Sequence, residues 1–405
     1  MILKNIFIAN KKNITDFLNN AGAFAIYLVI QQFVVLPALA REDDALYCLA
    51  ILFVTIMNIV GSVIGDDAGN CWLVRYEEYQ NKKISPLPDI SRILFFMCLY
   101  AGIILAAAAY FFQVDWCLAC GGIVCIWLCA LRFCFAVYFR KKLKYKNLIW
   151  CSLVYCAGML GGFAIFKSNG HWIWIFLCAE IAALLYNFSA AGNLWKKYDL
   201  FFGHTVEYKQ SWLLYSQLSL TSLLLLAALY LDRFILYRLL DLTDVAVYFA
   251  ASAMSKVIFM LGNPLYSFLL AKFSNTDSER EAALIRKSMY ISFFVCLICG
   301  IGSVFCIWLG MYCFYNSYLT ESIDLFFPLS LASGFGMAIV ILRSLVIKFC
   351  KKWLLLLNTA LYTIFILASG WFLTVRYGSI GMCWAVAVGQ LIQTFGLAII
   401  LTLRR

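Results

Sequence analysis

The chain has 405 residues, of which 64% are hydrophobic and only 13% carry charge. Soluble domains carry roughly 25% charged residues, so this composition excludes an ordinary soluble protein. The mean hydropathy of +0.87 and the repeated apolar blocks of about 20 residues are typical of helices that cross a bilayer.

We therefore predict an all-α polytopic membrane protein with about twelve transmembrane helices. The first apolar block lacks the short core and the small-residue cleavage pattern of a signal peptide, so we expect the N-terminus to be retained. The predicted spans run near 16–40, 45–64, 92–112, 115–139, 148–166, 171–192, 211–231, 245–270, 289–311, 322–347, 353–374 and 379–403.

The net charge of +11 raises the question of a nucleic-acid partner, which the placement of the charge argues against. Lysine and arginine gather at the N-terminus, at the C-terminus and in every second loop, as in 140-RKKLKYK-146, whereas the opposite loops hold few. This is the positive-inside bias of membrane proteins. It predicts that both termini are cytoplasmic and that no nucleic acid is bound.

A polar segment near the middle of the chain divides the predicted spans into two sets of six. We predict an N-terminal six-helix lobe over 1–195, a cytoplasmic linker over 196–210 and a C-terminal six-helix lobe over 211–405. The segments 43-DDALYCLA-50 and 244-DVAVYFAA-251 align without gaps and share Asp, Ala, Tyr and Ala. This match suggests two parallel repeats.

Lys256 lies in the middle of the eighth predicted span, where a charge costs roughly 2.5–3.5 kcal/mol. A helix advances about 100° per residue, which places Ser252 and Asn263 on the same face as Lys256. Comparable polar faces occur on the first, second and seventh spans, and they include Gln31, Asn58 and Gln217. Two explanations remain open, namely interhelical hydrogen bonds worth about 0.6 kcal/mol each or the lining of a substrate path.

Two further bases and one acid lie inside the predicted spans. Arg132 is a candidate for a cavity, and Arg343 either serves function or extends to the inner interface. Glu180 either carries a coupling proton or pairs with Lys256 or Arg132.

Asp232 and Arg233 close the seventh predicted span at its outer end, and we expect an exposed interfacial pair that contributes little to stability.

An interior with three bases and one acid favours an anionic ligand, and Lys and Arg are the usual partners of phosphate. The sequence contains no nucleophile–base set, no metal-ligand set and no glycine-rich phosphate loop. We therefore predict a protein that is not an enzyme and that needs neither a metal nor another cofactor.

Four segments resemble those of one transporter family. The segment 36-LPALAREDDALYCLA-50 resembles the first loop of polysaccharide flippases in the MATE-like exporter superfamily, and 376-RYGSIGMCWAVAVGQLI-392 resembles their last span. The segment 231-LDRFILYRLLDLTDVAVYFAASAMSKV-257 is similar to the connection between their seventh and eighth spans. The segment 274-SNTDSEREAALIRKS-288 is similar to their inner helix before the ninth span.

The chain also departs from the family pattern, because Leu46 and Val247 stand where the family has glycine before tyrosine.

The resemblance implies two six-helix lobes around a central cavity that opens alternately to either side of a bacterial cell membrane. It implies export of a polyprenyl-diphosphate-linked oligosaccharide, as in O-antigen, capsule or exopolysaccharide assembly. Lys256 would then hold the diphosphate, with support from Arg132 and Arg343. We expect a monomer whose partners are this lipid-linked oligosaccharide and membrane lipids, with other polysaccharide-assembly proteins as further candidates.

Two alternatives remain open. A cation-coupled exporter of small molecules on the same fold would need carboxylates in the cavity. A membrane-embedded polysaccharide polymerase or ligase would need a sizeable outer loop with acid–base groups, and every predicted outer loop is short.

Overall fold

The computed structural model describes residues 19, 22–23, 25–111, 113–142, 144–192, 203–260, 281–350 and 352–403, and these residues form helices joined by short turns. The helices are α1 (Ala25–Ala40), α2 (44–81), α3 (Leu87–Phe111), α4 (Trp116–Lys141), α5 (Tyr145–Asn169), α6 (Ile173–Ala191), α7 (Tyr208–Leu239), α8 (Leu242–Met260), α9 (Glu281–Phe314), α10 (Leu319–Phe349), α11 (352–377) and α12 (379–402). The predicted all-α fold with about twelve helices is confirmed.

Length and composition make most of these helices fit to span a bilayer. Within the described ranges nine helices are long and apolar enough to cross a membrane, when α11 and α12 are counted as one. Helix α1 is apolar but shorter in its described part. The hydrophobic blocks of the sequence thus correspond to helices, as expected for segments that must satisfy their own backbone hydrogen bonds in lipid.

Local signals set several helix ends. The Asp115 carboxylate accepts a hydrogen bond from the Leu118 backbone N–H at 3.2 Å and caps the start of α4. Gly170, with φ of 74°, ends α5 in the left-handed conformation that favours glycine. Gly378, with φ of 62°, interrupts the helical run Lys352–Thr402 and separates α11 from α12 where the sequence predicts a break.

Helix α2 continues well beyond residue 64, where the sequence predicts its end. It takes π-helical spacing over Gly61–Asp66 and then resumes as Asp67–Asn81. Asp66 and Asp67 therefore lie within a continuous helix instead of a loop. The predicted end was wrong because the two carboxylates lower the local hydropathy while the backbone hydrogen bonding continues.

Glycine recurs at every fourth position of this segment, at Gly61, Gly65 and Gly69. A Cβ at Gly65 would lie 2.2 Å from the Ala130 carbonyl oxygen, and a Cβ at Gly69 would lie 2.6 Å from Val137. Small residues at this spacing let two helix backbones approach closely. They hold α2 against α4.

The chain forms two compact units that do not coincide with a simple cut of the sequence. The first comprises the described residues of Met1–Leu36 together with Phe53–Leu223, and the second comprises Pro37–Leu52 and the described residues from Leu224 onwards. Helices α2 and α7 each contribute to both units. The predicted lobe boundaries at 195 and 211 remain a prediction.

In the first unit, α5 and α6 form a tightly packed hairpin. A Cβ at Gly158 would lie 2.7 Å from the Cys178 carbonyl oxygen, and one at Gly162 would lie 2.3 Å from the Trp174 carbonyl oxygen. The glycines therefore set the distance between the two helices.

The end of the predicted linker is packed against the first unit. Arg75 is buried on α2 and donates to the Glu207 backbone carbonyl and to the Ser211 hydroxyl, both at 2.8 Å, and it also pairs with the Glu207 carboxylate. The Thr205 backbone N–H donates to the buried Asp89 carboxylate at 2.6 Å. These contacts fix the start of α7 to the ends of α2 and α3.

In the second unit, α8 packs on α9 and α10. The Ser255 and Ser333 hydroxyls lie 2.6 Å apart and join α8 to α10. The inner helix before the ninth span, which the resemblance implies over 274–288, is not separate in its described part, because Glu281 already begins the continuous helix α9. Residues 274–280 of that segment lie outside the described residues.

Candidate functional site

A buried ion pair joins α7 and α8 in the second unit. The Lys256 ammonium lies 3.1 Å from the Asp232 carboxylate, and the Tyr248 hydroxyl donates to the same carboxylate oxygen at 2.8 Å. The other Asp232 oxygen accepts from the Arg233 backbone N–H at 3.0 Å. Lysine, carboxylate and phenol thus form one hydrogen-bonded group around Asp232.

The sequence-based interpretation of Asp232 and Arg233 as an exposed interfacial pair is wrong. Helix α7 continues to Leu239, so both residues lie inside it, and their exposed fractions are 4% and 9%. The Arg233 guanidinium lies 5.0 Å from the centre of the Tyr230 ring. The boundary was misjudged because an Asp–Arg dipeptide resembles the end of an apolar span.

A second buried ion pair joins α4 and α6 in the first unit. The Arg132 guanidinium donates to both oxygens of Glu180, at 2.8 and 3.0 Å. The central guanidinium carbon, Cζ, lies 4.6 Å from the centre of the Tyr155 ring, 4.9 Å from that of Phe133 and 5.8 Å from that of Tyr27. A bidentate pair inside an aromatic cage fixes the orientation of the guanidinium plane.

Of the two partners that the sequence offers for Glu180, the structure selects Arg132, and Lys256 has Asp232 instead. The expectation of a net basic interior with a single acid is therefore wrong. Asp232, Asp66 and Asp67 lie within apolar helices as well.

The two pairs share one feature that bears on ligand binding. In each, the carboxylate is more deeply buried than the base, since the side chains of Glu180 and Asp232 are 0% and 5% exposed, whereas those of Arg132 and Lys256 are 17% and 19% exposed. The base is thus the more exposed member of both pairs. The carboxylate beneath it holds the base in a fixed orientation.

Comparison with solved structures identifies the fold. A lipid II flippase, MurJ, in its inward closed conformation matches with a TM-score of 0.71 at 13% identity, covering 97% of this chain and 87% of its own. A MATE transporter of Vibrio cholerae matches with a TM-score of 0.61 at 13% identity, covering 97% and 96%. A multidrug resistance MATE family transporter of the MOP superfamily matches with a TM-score of 0.63 at 12% identity, covering 96% and 94%.

The chain has the fold of these transporters. No family model matches it, and a search of curated proteins finds no match.

On this fold, the other residues that the sequence singles out occupy different environments. Ser252 and Gln31 are buried, and the Ser252 hydroxyl donates to the Phe249 carbonyl of its own helix. Asn58 and Arg343 are half-buried, and Gln217 is exposed. Asn263 lies outside the described residues. Roles of these residues in substrate binding remain predictions, as does a coupling role for Glu180.

Each of the two aligned segments, 43–50 and 244–251, contains a buried tyrosine. Tyr47 and Tyr248 occupy matching positions near the starts of α2 and α8, and both are fully buried. The Tyr47 ring packs 5.8 Å from that of Tyr315, whereas the Tyr248 hydroxyl donates to Asp232. The matched positions therefore share burial but differ in the residues that the tyrosine contacts.

Proposed function

We propose that this chain moves an anionic, lipid-linked oligosaccharide from the inner to the outer leaflet of a bacterial cell membrane by alternating access. The single observation that carries the proposal is that the base is the more exposed member of both buried ion pairs. The fold, shared with a lipid II flippase, supports it.

The chemistry of the two bases suits a diphosphate. A lysine ammonium has three N–H donors and a guanidinium has five. Asp232 accepts one donor of Lys256 at 3.1 Å, and Glu180 accepts two of Arg132. Donors therefore remain for phosphate oxygens, and a ligand with more than one negative charge competes well with a single carboxylate.

The direction of movement also suits an anion. An anion that leaves the cytoplasmic side moves down an inside-negative potential, which favours it by about 2.3 kcal/mol per charge per 100 mV. The substrate that we expect is the repeat unit of a surface polysaccharide on a polyprenyl diphosphate.

The test is transbilayer movement of a fluorescent polyprenyl-diphosphate oligosaccharide in proteoliposomes. We expect movement that depends on the native protein and that stops when phosphate-free polyprenyl glycoside replaces the diphosphate. Equal movement of the two lipids would contradict a role for the bases.

A second candidate is a cation-coupled exporter of small molecules, which Asp66 favours. One carboxylate oxygen of Asp66 is buried and has no hydrogen-bond partner among the described residues, so a proton or another cation would stabilise it. Export of a cationic dye that fails in Asp66→Asn, without movement of the lipid-linked oligosaccharide, would favour this candidate over the flippase.

A further inference from the structure

An apolar groove runs between α2, α3, α4 and α6 in the first unit. The surface that lines it is apolar. Its lining includes Trp72, Leu94, Leu131, Cys134, Phe135 and Tyr138. A surface without polar groups does not bind a sugar, because the hydroxyl groups of the sugar would lose their hydrogen bonds to water.

Two hydrogen-bond donors without acceptors lie beside this groove. The Trp72 indole N–H and the Lys141 ammonium are both buried, and within the described residues neither has a hydrogen-bond partner. The ammonium lies 4.8 Å from the centre of the Trp72 ring and also contacts the ring of Tyr76. Buried donors without acceptors are rare in native proteins and call for a ligand or ordered water.

Lys141 places its positive charge close to the lining of the groove. It follows Tyr138 by one turn on α4, and the Tyr138 ring stacks on Trp72 at 5.5 Å. The Lys141 ammonium thus places a positive charge next to Trp72, which lines the groove, and we call this part of the groove its cationic end. Exposed Arg140, Lys142, Lys144 and Lys146 lie close to Lys141 along the chain, on the side that the positive-inside bias assigns to the cytoplasm.

We propose that this groove binds one hydrocarbon chain of an anionic membrane phospholipid, whose phosphate accepts hydrogen bonds from Lys141 and Trp72. Basic pockets between helices on the cytoplasmic side are typical sites for anionic lipid head groups. The site is separate from both ion pairs, and the proposal does not rest on the proposed flippase function.

A membrane phospholipid fits better than a lipid-linked oligosaccharide. The cationic end presents two aromatic rings and two donors, which match a phosphate but offer no set of polar groups for several sugars. The groove follows α4 from Leu131 to Tyr138, a rise of only about 10 Å at 1.5 Å per residue. That length accommodates part of an acyl chain, whereas a polyprenyl chain is much longer.

Native mass spectrometry of the delipidated full chain in detergent tests the proposal, with dioleoyl-phosphatidylglycerol as the probe and dioleoyl-phosphatidylcholine as the comparator. We expect one phosphatidylglycerol to bind more tightly than phosphatidylcholine. Lys141→Gln should weaken this binding about five- to tenfold. Lys142→Gln, which removes the neighbouring exposed charge, is the matched control and should leave binding within about twofold.

A second variant tests the groove itself. Ala191→Phe places a ring in the lining at the end of α6 and should abolish the preferred binding while the melting temperature stays near that of the native chain. Equal effects of Lys141→Gln and Lys142→Gln, or unchanged binding in Ala191→Phe, would overturn the proposal.

Two further outcomes would assign the groove to another occupant. Displacement of phosphatidylglycerol by polyprenyl phosphate at about a tenth of its concentration would give the groove to a carrier lipid, and so overturn our choice of ligand. Binding that appears only after 200-LFF-202 is replaced by serines would give the groove to the chain's own linker.

Discussion

Lys256 and Asp232 neutralise each other inside one helical unit, at 3.1 Å and with little exposure. Removing one member of a buried pair leaves an uncompensated charge and costs about 3–5 kcal/mol, whereas replacing both with neutral groups costs much less. Lys256→Gln should therefore lower stability strongly. The double variant Lys256→Gln with Asp232→Asn should recover most of the loss.

Chemical or thermal unfolding in detergent measures these effects. Ser252→Ala, one turn away on the same helix, is the matched control and should change stability by less than about 1 kcal/mol. A double variant no more stable than the single variant would show that the pair is not the source of the loss.

The candidate bases could be predicted from sequence, but their partners could not. A lone lysine or arginine in an apolar helix is costly wherever it lies, so Lys256 and Arg132 were identifiable by position alone. Their partners depend on which helices pack together, and helical periodicity carries no information on that. Asp232 was misplaced at an interface because the local sequence does not reveal that α7 runs on to Leu239.

At the scale of helices, glycine spacing determines how closely α5 and α6 pack. A Cβ at Gly162 would lie 2.3 Å from a backbone oxygen, whereas one at Gly161 would have no atom within 4 Å. Gly162→Ala should therefore destabilise the protein by about 1–3 kcal/mol. Gly161→Ala, the matched control, should be neutral or stabilise by up to about 1 kcal/mol, because alanine favours the helix.

Melting temperatures of the two variants, purified side by side, check this prediction. Equal losses would mean that the helix pair separates freely and that the close approach is not what stabilises it.

The contacts at the start of α7 predict a dependence on pH. Hydrogen bonds from Lys82 and Arg75 lower the pKa of Glu207 below its ordinary value of 4.5. A group whose pKa is lowered on folding contributes stability that is fully present above the ordinary pKa and is lost as the pH falls from 4.5 through the lower pKa of the folded state.

Melting temperatures of the native chain and Glu207→Gln, measured between pH 7 and pH 3.5, test this contribution. The difference between the two proteins should be largest at neutral pH and should shrink below pH 4.5. A difference that stays constant over this range would contradict the assigned role of the Glu207 charge.

The helix boundaries show a similar division between what sequence does and does not reveal. Blocks of apolar residues predict most of the spans. A glycine between two such blocks predicts the break at Gly378. Hydropathy alone does not predict that α2 continues through Asp66 and Asp67, because the two carboxylates lower the local hydropathy. The spacing of Gly61, Gly65 and Gly69 was the signal that could have revealed it, since it predicts a helix face in close contact with another helix.

For the whole molecule, composition and block length were sufficient to predict a polytopic helical fold, and the match to MurJ and MATE structures agrees with it. These matches do not identify the substrate, because sequence identities of 13% and below show only that the fold is shared. The proposed substrate depends instead on two ion pairs, in which Arg132 and Lys256 are each the more exposed partner of a buried carboxylate.

The most direct test of the account is transbilayer movement of a polyprenyl-diphosphate oligosaccharide by the double variant Lys256→Gln with Asp232→Asn, compared with the native chain in proteoliposomes. The double variant leaves no uncompensated charge in the pair, and we expect it to keep most of the native stability. It therefore separates a structural pair from a ligand-binding base. We predict that it folds, melts within a few degrees of the native chain and moves the lipid at least about tenfold more slowly. Movement at the native rate by the folded double variant would contradict the account.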